Sequence, residues 1–227
     1  MGVTGGPDPI VDDGLVFTID PANKRSYVSG SSTAFDMIGN NDGTLSNVSF
    51  RAENVVTWEM VRSSNSQIDL GNSNTLSPLS GDVSWCFWVN KHSATNTQCV
   101  LGNWSSNSTQ YYLWLGYETN DDQISVYFED SKRMTLSCPQ SQWHYVVITF
   151  QEGASNPALI GYVNGVQADT DSHNTWEGAH LNLSLGRDLN RNNYGTDAYY
   201  GPMHIYNRAL SAAEVLQNYN AIKHRFV

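Results

Sequence analysis

The feature that most constrains this chain is a succession of short apolar segments separated by turn residues. Val83–Asn90 alternates between two faces, and Trp143–Phe150 does the same. Asn164-Gly165 lies between two further apolar runs, and this dipeptide strongly indicates a β-hairpin because both residues tolerate positive φ. Many short strands with turn signals between them are typical of an antiparallel sandwich or barrel.

One segment has the signals of a helix instead. Ser211 and Glu214 form a capping box at its start. The apolar residues that follow recur at helical spacing, namely Val215, Leu216, Tyr219 and Ile222. Helices do not alternate with the strands elsewhere, so a parallel α/β sheet is not expected. The sequence therefore predicts an all-β antiparallel sandwich with one C-terminal helix.

The length and the distribution of glycine and proline suggest how the chain is divided. A chain of 227 residues suits one large all-β domain. Residues 1–13 are rich in Gly and Pro, and we expect a flexible N-terminal arm there, followed by the sandwich over 14–227. Two interpretations of the arm stay open. It is either a frayed terminus or a segment that docks on a neighbouring subunit or particle through Ile10 and Val11.

The charge excludes several partners. A net charge of −10 disfavours nucleic acid and anionic lipid surfaces, and no apolar stretch is long enough to span a membrane. The N-terminus has neither the basic start nor the apolar run of a signal peptide, so we expect synthesis in a cytosol.

The three cysteines are Cys86, Cys99 and Cys138, an odd number without CxxC spacing, and we expect no disulfide between them.

Several motifs occur in a characteristic order: Phe35-Asp36 with Gly39–Leu45, Gln67–Gly71, Trp143–Thr149, Tyr162–Val166, and Gly201–Ser211 with Glu214. Together they resemble the laminin G-like branch of the concanavalin A-like lectin/glucanase superfamily, over roughly residues 14–226. The resemblance implies a two-sheet jelly roll. It does not imply one function, because this sandwich carries lectins, adhesins, glycosidases and virion proteins.

The carboxylates give no sign of catalysis. Glucanases of this superfamily place acids on alternate residues of one strand, about 5–5.5 Å apart across the scissile bond for a retaining mechanism. No such pattern occurs here, and Glu118, Asp121 and Asp122 are interpreted as a turn between strands. We therefore expect a protein that is not an enzyme and requires no cofactor.

Two kinds of binding residue are candidates. The loop from Arg187 to Asp197 is rich in oxygen ligands, so Asp188 and Asp197 could hold Ca²⁺. The alternative is an ordinary loop, since Asx residues favour turns for their own reasons. Trp104, Trp176 and Tyr194 lie in or beside polar loops, where aromatic rings can stack on sugars. The alternative for these rings is core packing.

Three functions are considered. The first is a virion surface protein of a bacterial virus, either a capsid decoration or a tail or fibre component, whose partners are other virion subunits or a surface glycan. The second is a secreted or cell-surface lectin, and the third is a glucanase relative. The first is favoured, with localisation in the virion, because the chain lacks a signal peptide. In addition, laminin G-like domains ending like Tyr206–Ser211 are frequent in phage structural proteins. A homo-oligomer is also considered.

Overall fold

The computed structural model describes residues 8–93, 96–104, 111–118, 122–128, 131–176, 182–188 and 194–227. The strands are, in chain order, β1 (Leu15–Ile19), β2 (Thr33–Ala34), β3 (Gly43–Ser46), β4 (Ser49–Arg51), β5 (Thr57–Met60), β6 (Gln67–Asp69), β7 (Val83–Lys91), β8 (Gln98–Trp104), β9 (Tyr111–Tyr117), β10 (Gln123–Phe128), β11 (Ser131–Ser137), β12 (His144–Phe150), β13 (Leu159–Val163), β14 (Val166–Asp171), β15 (Ser184–Leu185) and β16 (Ala198–Tyr206). The helix α1 spans Ala212–Ile222, and short 3-10 turns occupy Arg62–Ser64 and Lys223–Arg225.

The strands form two antiparallel sheets of eight strands each. The first sheet has the order β14-β13-β12-β7-β16-β5-β4, and β1 also pairs with β16. The second sheet has the order β11-β10-β9-β8-β15-β6-β3-β2. Hairpins of consecutive strands alternate with pairs from distant parts of the chain, such as β7 with β16 and β8 with β15. The predicted fold class, a two-sheet sandwich with one C-terminal helix, is confirmed.

The main core lies between the sheets and follows the predicted alternation. In β7 the residues Val83, Trp85, Phe87 and Val89 all face this core. Opposite them, β9 contributes Leu113 and Leu115. Because side chains alternate across a strand, Trp114 and Trp88 point to the outer faces of their sheets.

The helix covers part of the outer face of the first sheet and creates a second core. Trp88 stacks on Phe226, with ring centroids 4.3 Å apart, and also on Tyr219 of α1 at 5.7 Å. Ser211 caps the helix, and both hydrogen bonds of the predicted capping box with Glu214 are present. This packing leaves the β4–β5 side of the same face uncovered by the helix.

Residues 8–13 differ from the flexible arm that their composition suggested. Val11 is buried in the second core, and Ile10 packs against the same cluster. The Val11 N–H donates to Asn218 Oδ1 at 2.8 Å, and the Tyr206 hydroxyl donates to the Val11 carbonyl at 2.9 Å. The buried Asn218 and Tyr206 need polar partners, and this segment supplies them. Ile10 and Val11 therefore contact the chain's own domain, and docking of the N-terminus on another subunit stays a prediction.

The turn and thiol predictions can also be compared with the structure. Asn164 and Gly165 have φ of 53° and 81°, as the predicted hairpin between β13 and β14 requires. All three cysteines are buried free thiols, and burial raises the pKa of Cys86 and Cys138 to about 12. No helix within the described residues is long and apolar enough to cross a membrane.

Candidate functional site

The outer face of the second sheet carries a row of three aromatic residues, Tyr127, Trp114 and Tyr194, which we call the aromatic strip. Trp114 on β9 lies directly opposite Tyr127 on β10, and their rings meet edge to face at 5.4 Å. Tyr194 packs on the other side of this cluster, beside Cys99 of β8. Its carbonyl oxygen accepts a hydrogen bond from the Cys99 N–H at 2.9 Å. The strip thus crosses β10, β9 and β8 and ends at the segment that contains Tyr194.

Two glycines create the space for the Trp114 indole. Gly102 is its partner on β8, and a Cβ there would lie 3.3 Å from Trp114 Cδ1. A Cβ on Gly116 would lie only 2.4 Å from the ring. The indole therefore lies close over the backbone of the sheet. It is 4% exposed and forms the floor of the strip, while Tyr127 and Tyr194 are partly exposed above it.

Polar groups border the strip at the Tyr127 end. Glu118 Oε1 accepts hydrogen bonds from Ser125 Oγ at 2.8 Å, Lys132 Nζ at 3.0 Å and the Tyr127 hydroxyl at 3.3 Å. The hydrogen bond from Lys132, followed by that from Ser125, lowers the pKa of Glu118. Burial, and then the charge of Glu118, raises the pKa of Tyr127. At neutral pH the rim therefore offers an ionised carboxylate and a phenol that donates.

A buried donor adds to this arrangement. Trp114 Nε1 is buried and has no hydrogen-bond partner among the described residues. Aromatic faces, hydroxyl and carboxylate groups and a spare N–H are the groups that recognise a sugar, which presents an apolar C–H face and a rim of hydroxyls.

Of the residues predicted from separate parts of the sequence, Tyr194 lies in the strip and Asp188 lies near Cys99. Tyr194 belongs to the strip, and the backbone of Trp104 ends β8 opposite Tyr111; the Trp104 side chain lies outside the described residues. Asp188 is fully buried below the strip, where its charge, after the larger effect of burial, raises the pKa of Cys99. The sequence did not show that these residues are neighbours.

Trp176 lies elsewhere, among core aromatics. Its ring contacts Phe150 at 4.6 Å and Phe128 at 5.2 Å, and its Nε1 donates to the Gly81 carbonyl at 2.8 Å. This position corresponds to the core-packing alternative for a loop tryptophan.

The structure gives the two candidate calcium ligands different surroundings. Asp197 Oδ1 accepts a hydrogen bond from the Arg62 N–H at 2.9 Å, while Asp188 is buried near Cys99. Within the described ranges, no group of three or more His, Cys, Asp or Glu side chains is placed to hold a metal. Residues 189–193 of the same loop lie outside the described part, so calcium at Asp188 and Asp197 stays a prediction.

Sequence reasoning missed the roles of Trp114, Tyr127 and Glu118. Trp114 and Tyr127 lie on different strands, and their contact depends on strand register. Glu118 was interpreted as part of a turn. The available signal was glycine within apolar strands, at Gly102 and Gly116, because such glycines often mark a close approach of another group.

Comparison with known proteins identifies the class. The family model described as the concanavalin A-like lectin/glucanases superfamily, of laminin G type, matches residues 62–216, and the chain belongs to this family. No curated protein matches it significantly.

Solved structures show the same fold at low identity. A Trypanosoma rangeli sialidase in complex with sialic acid is similar with a TM-score of 0.71 and 14% identity, covering 94% of this chain and 34% of the sialidase. The receptor-binding domain of a botulinum neurotoxin of mosaic serotype C/D is similar with a TM-score of 0.71 and 14% identity, covering 93% of this chain and 52% of that one. The chain thus spans about a third of the sialidase and half of the toxin structure.

Proposed function

We propose that this protein is a non-catalytic binding module that holds a glycan on the aromatic strip. The observation that carries the proposal is Trp114, laid over Gly102 and Gly116 on an outer sheet face between two partly exposed tyrosines. The solvent-facing side of an antiparallel sheet is normally polar, so a row of aromatic rings on that side indicates a surface that binds a ligand. The neurotoxin receptor-binding domain and the sialidase complex add support for binding at the level of the fold.

The polar rim supports binding without hydrolysis. Most glycosidases, glucanases included, need one carboxyl group with a raised pKa as the general acid, paired with a second carboxylate. Glu118 has the opposite property, because Lys132 and Ser125 stabilise its ionised form. It is suited to accept hydrogen bonds from sugar hydroxyls.

The setting we propose is the surface of a bacteriophage particle, as a capsid decoration or a tail or fibre component. The support comes from the sequence, above all from the Tyr206–Ser211 ending. Other virion subunits are then the partners on the particle, and a surface glycan is the ligand. A secreted or cell-surface lectin is the alternative. Mass spectrometry of purified particles separates the two, because a virion protein copurifies with capsid and tail proteins and a lectin does not.

A glycan array with matched variants tests the binding role. We expect selective binding by the native protein, loss of binding for Tyr194→Ala and Tyr127→Ala, and retention for Tyr194→Phe, which keeps the ring. Tyr219→Ala on the helix is the control for a half-buried tyrosine outside the strip. A protein that binds no glycan, or one whose binding is unchanged by both alanine variants, contradicts the proposal.

A further inference from the structure

A second polar and aromatic surface lies on the outer face of the first sheet, where the helix does not cover it. It is a groove of about 260 Å³ lined by Arg51, Val55, Thr57, Asn90, Trp143 and Tyr199, which we call the sheet groove. Asn90 on β7 is the register partner of Tyr199 on β16, which is in turn the partner of Glu59 on β5. The floor is therefore built by three adjacent strands, and segments between strands supply other lining residues, Glu53, Asn54, Val55 and Trp143.

The Tyr199 ring is fixed in place by its neighbours. His92 packs against it with ring centroids 4.8 Å apart, and the Arg51 guanidinium lies 5.7 Å from its centroid. Trp143 forms the opposite wall and is supported by Phe226 at 4.7 Å. The groove thus presents two aromatic side chains whose orientations are set before a ligand arrives, which lowers the entropy lost on binding.

Arg51 is held in a bidentate pair. Its Nε donates to Glu59 Oε2 at 2.7 Å and its Nη2 to Glu59 Oε1 at 2.9 Å. This geometry neutralises the guanidinium, while its remaining N–H groups stay available because the side chain is 46% exposed. Glu53 also lines the groove, so the net electrostatic balance there does not favour an anion.

Asn90 supplies the decisive polar atom. Its Oδ1 is buried and accepts no hydrogen bond from the described residues. A buried acceptor without a partner is costly, so a water molecule or a ligand hydroxyl is expected to donate to it. The amide, the guanidinium and the ring of Tyr199 lie together along one wall and floor of the groove.

From these contacts we infer that the sheet groove is a second binding site, which takes a single neutral pyranose ring. The volume is just below the range of about 300–1,000 Å³ that suits drug-sized ligands, so one sugar ring fits better than an oligosaccharide. The ring stacks on Tyr199 or Trp143, one hydroxyl donates to Asn90 Oδ1, and another accepts from Arg51. A sugar that carries a carboxylate is disfavoured because the Arg51 guanidinium is already paired with the Glu59 carboxylate. This site goes beyond the proposed function, since it lies on the other sheet.

NMR titration tests the site with defined probes. Methyl glycosides of glucose, galactose and mannose are added to the native protein, and N-acetylneuraminic acid serves as the anionic comparison. We expect at least one neutral glycoside to shift the side-chain amide signals of Asn90 saturably, and the anion to leave them unchanged. The indole signal of Trp114 reports separately on the aromatic strip.

Three variants test whether the observed binding depends on residues of the sheet groove. Tyr199→Ala is expected to weaken binding in the groove about tenfold, while Tyr199→Phe keeps it. Glu59→Gln releases Arg51 and is expected to create binding of N-acetylneuraminic acid that the native protein lacks. An unchanged Trp114 indole signal shows that each variant remains folded.

Two results overturn the inference. One is that no neutral glycoside shifts the Asn90 signals, and the other is that the anion binds the native groove as well as the neutral sugars do. A response at Asn90 without any glycan response at Trp114 contradicts the proposed function of the strip and supports the groove.

Discussion

Glycines within the strands decide where neighbouring side chains can lie in this sandwich. Gly116 and Gly161 both occupy strand interiors, yet their missing side chains leave space for different neighbours. A Cβ on Gly116 would lie 2.3 Å from the Gln98 carbonyl oxygen and 2.4 Å from the Trp114 ring, whereas one on Gly161 would meet Leu136 Cδ2 at 2.6 Å. Backbone cannot move aside easily, but the end of a leucine side chain can.

Gly116→Ala is therefore expected to destabilise the protein by about 1–3 kcal/mol, as overpacking in a well-packed region does. Gly161→Ala, the matched control, is expected to cost less because Leu136 can change rotamer. Urea unfolding of both variants measures the difference as a shift of the midpoint at constant slope. Equal destabilisation of the two variants contradicts this account.

A second residue-scale effect concerns His204, which is buried and hydrogen-bonded through Nδ1 to Thr18 Oγ1 at 2.7 Å. Burial is the main cause that lowers its pKa to about 4; the charge of Asp20 opposes this shift, and the charge of Arg225 adds to it. In the unfolded chain a histidine has a pKa of about 6.5, so the unfolded state binds the proton first as the pH falls. The contribution of His204 is fully present above pH 6.5 and is lost as the pH falls from there to about 4.

The loss amounts to about 3 kcal/mol on the scale of 1.36 kcal/mol for each pKa unit. His204→Asn keeps a group near the Thr18 hydroxyl and removes the titration, so its stability should depend less on pH over this interval. Urea unfolding between pH 7 and pH 4 checks the prediction. A smaller slope is expected to remain, because burial also lowers the pKa of His144. An unchanged slope in the variant excludes His204 as its source.

At the scale of elements, the N-terminal segment and α1 form one unit. Asn218 is fully buried in α1, where its Oδ1 accepts from the Val11 N–H and its Nδ2 donates to the Tyr206 hydroxyl at 3.0 Å. Asn218→Ala leaves the Val11 N–H without its acceptor and the Tyr206 oxygen without its donor, and should cost about 1–3 kcal/mol. It should also release residues 8–13 to limited proteolysis. Gln217→Ala, which removes only an exposed bond to the Pro9 carbonyl, is the control and should change stability by about 0.5 kcal/mol or less. Equal protease resistance in both variants contradicts the coupling.

The elements that sequence could predict are those whose signals are local. The helix start at Ser211 and the hairpin at Asn164-Gly165 were predicted because capping and turn chemistry reside in a few adjacent residues. The strand β2 has two residues and is defined by its pairing with β3, so no local pattern announces it. Residues 1–13 were predicted as a flexible arm, because composition alone does not reveal that Val11 bonds to the distant Asn218. The aromatic strip and the sheet groove depend on register between strands, which a single sequence does not specify.

At the scale of the whole molecule, the two proposed binding sites lie on the outer faces of different sheets. The second sheet carries the aromatic strip, and the first sheet is shared between the C-terminal helix and the sheet groove. The net charge of −10 adds long-range repulsion of anionic partners to both faces. A two-faced module of this kind can contact a particle or neighbouring subunit and a glycan at once, which suits a role at a surface.

The last prediction is that this sandwich hydrolyses no glycoside, although its superfamily includes glucanases. Glu118 accepts a hydrogen bond from the strip's Tyr127, and its lowered pKa keeps it ionised, so it cannot deliver a proton to a leaving group. Beside the sheet groove, the Glu59 carboxylate forms a bidentate ion pair with Arg51 and is likewise held in one orientation. Incubation with fluorogenic aryl glycosides, including a sialoside, should therefore release no fluorophore above the buffer blank, while array binding by the same preparation shows that it is folded. Hydrolysis that disappears in Glu118→Gln or Glu59→Gln would establish the opposite, an enzyme whose acid lies in one of these two surfaces.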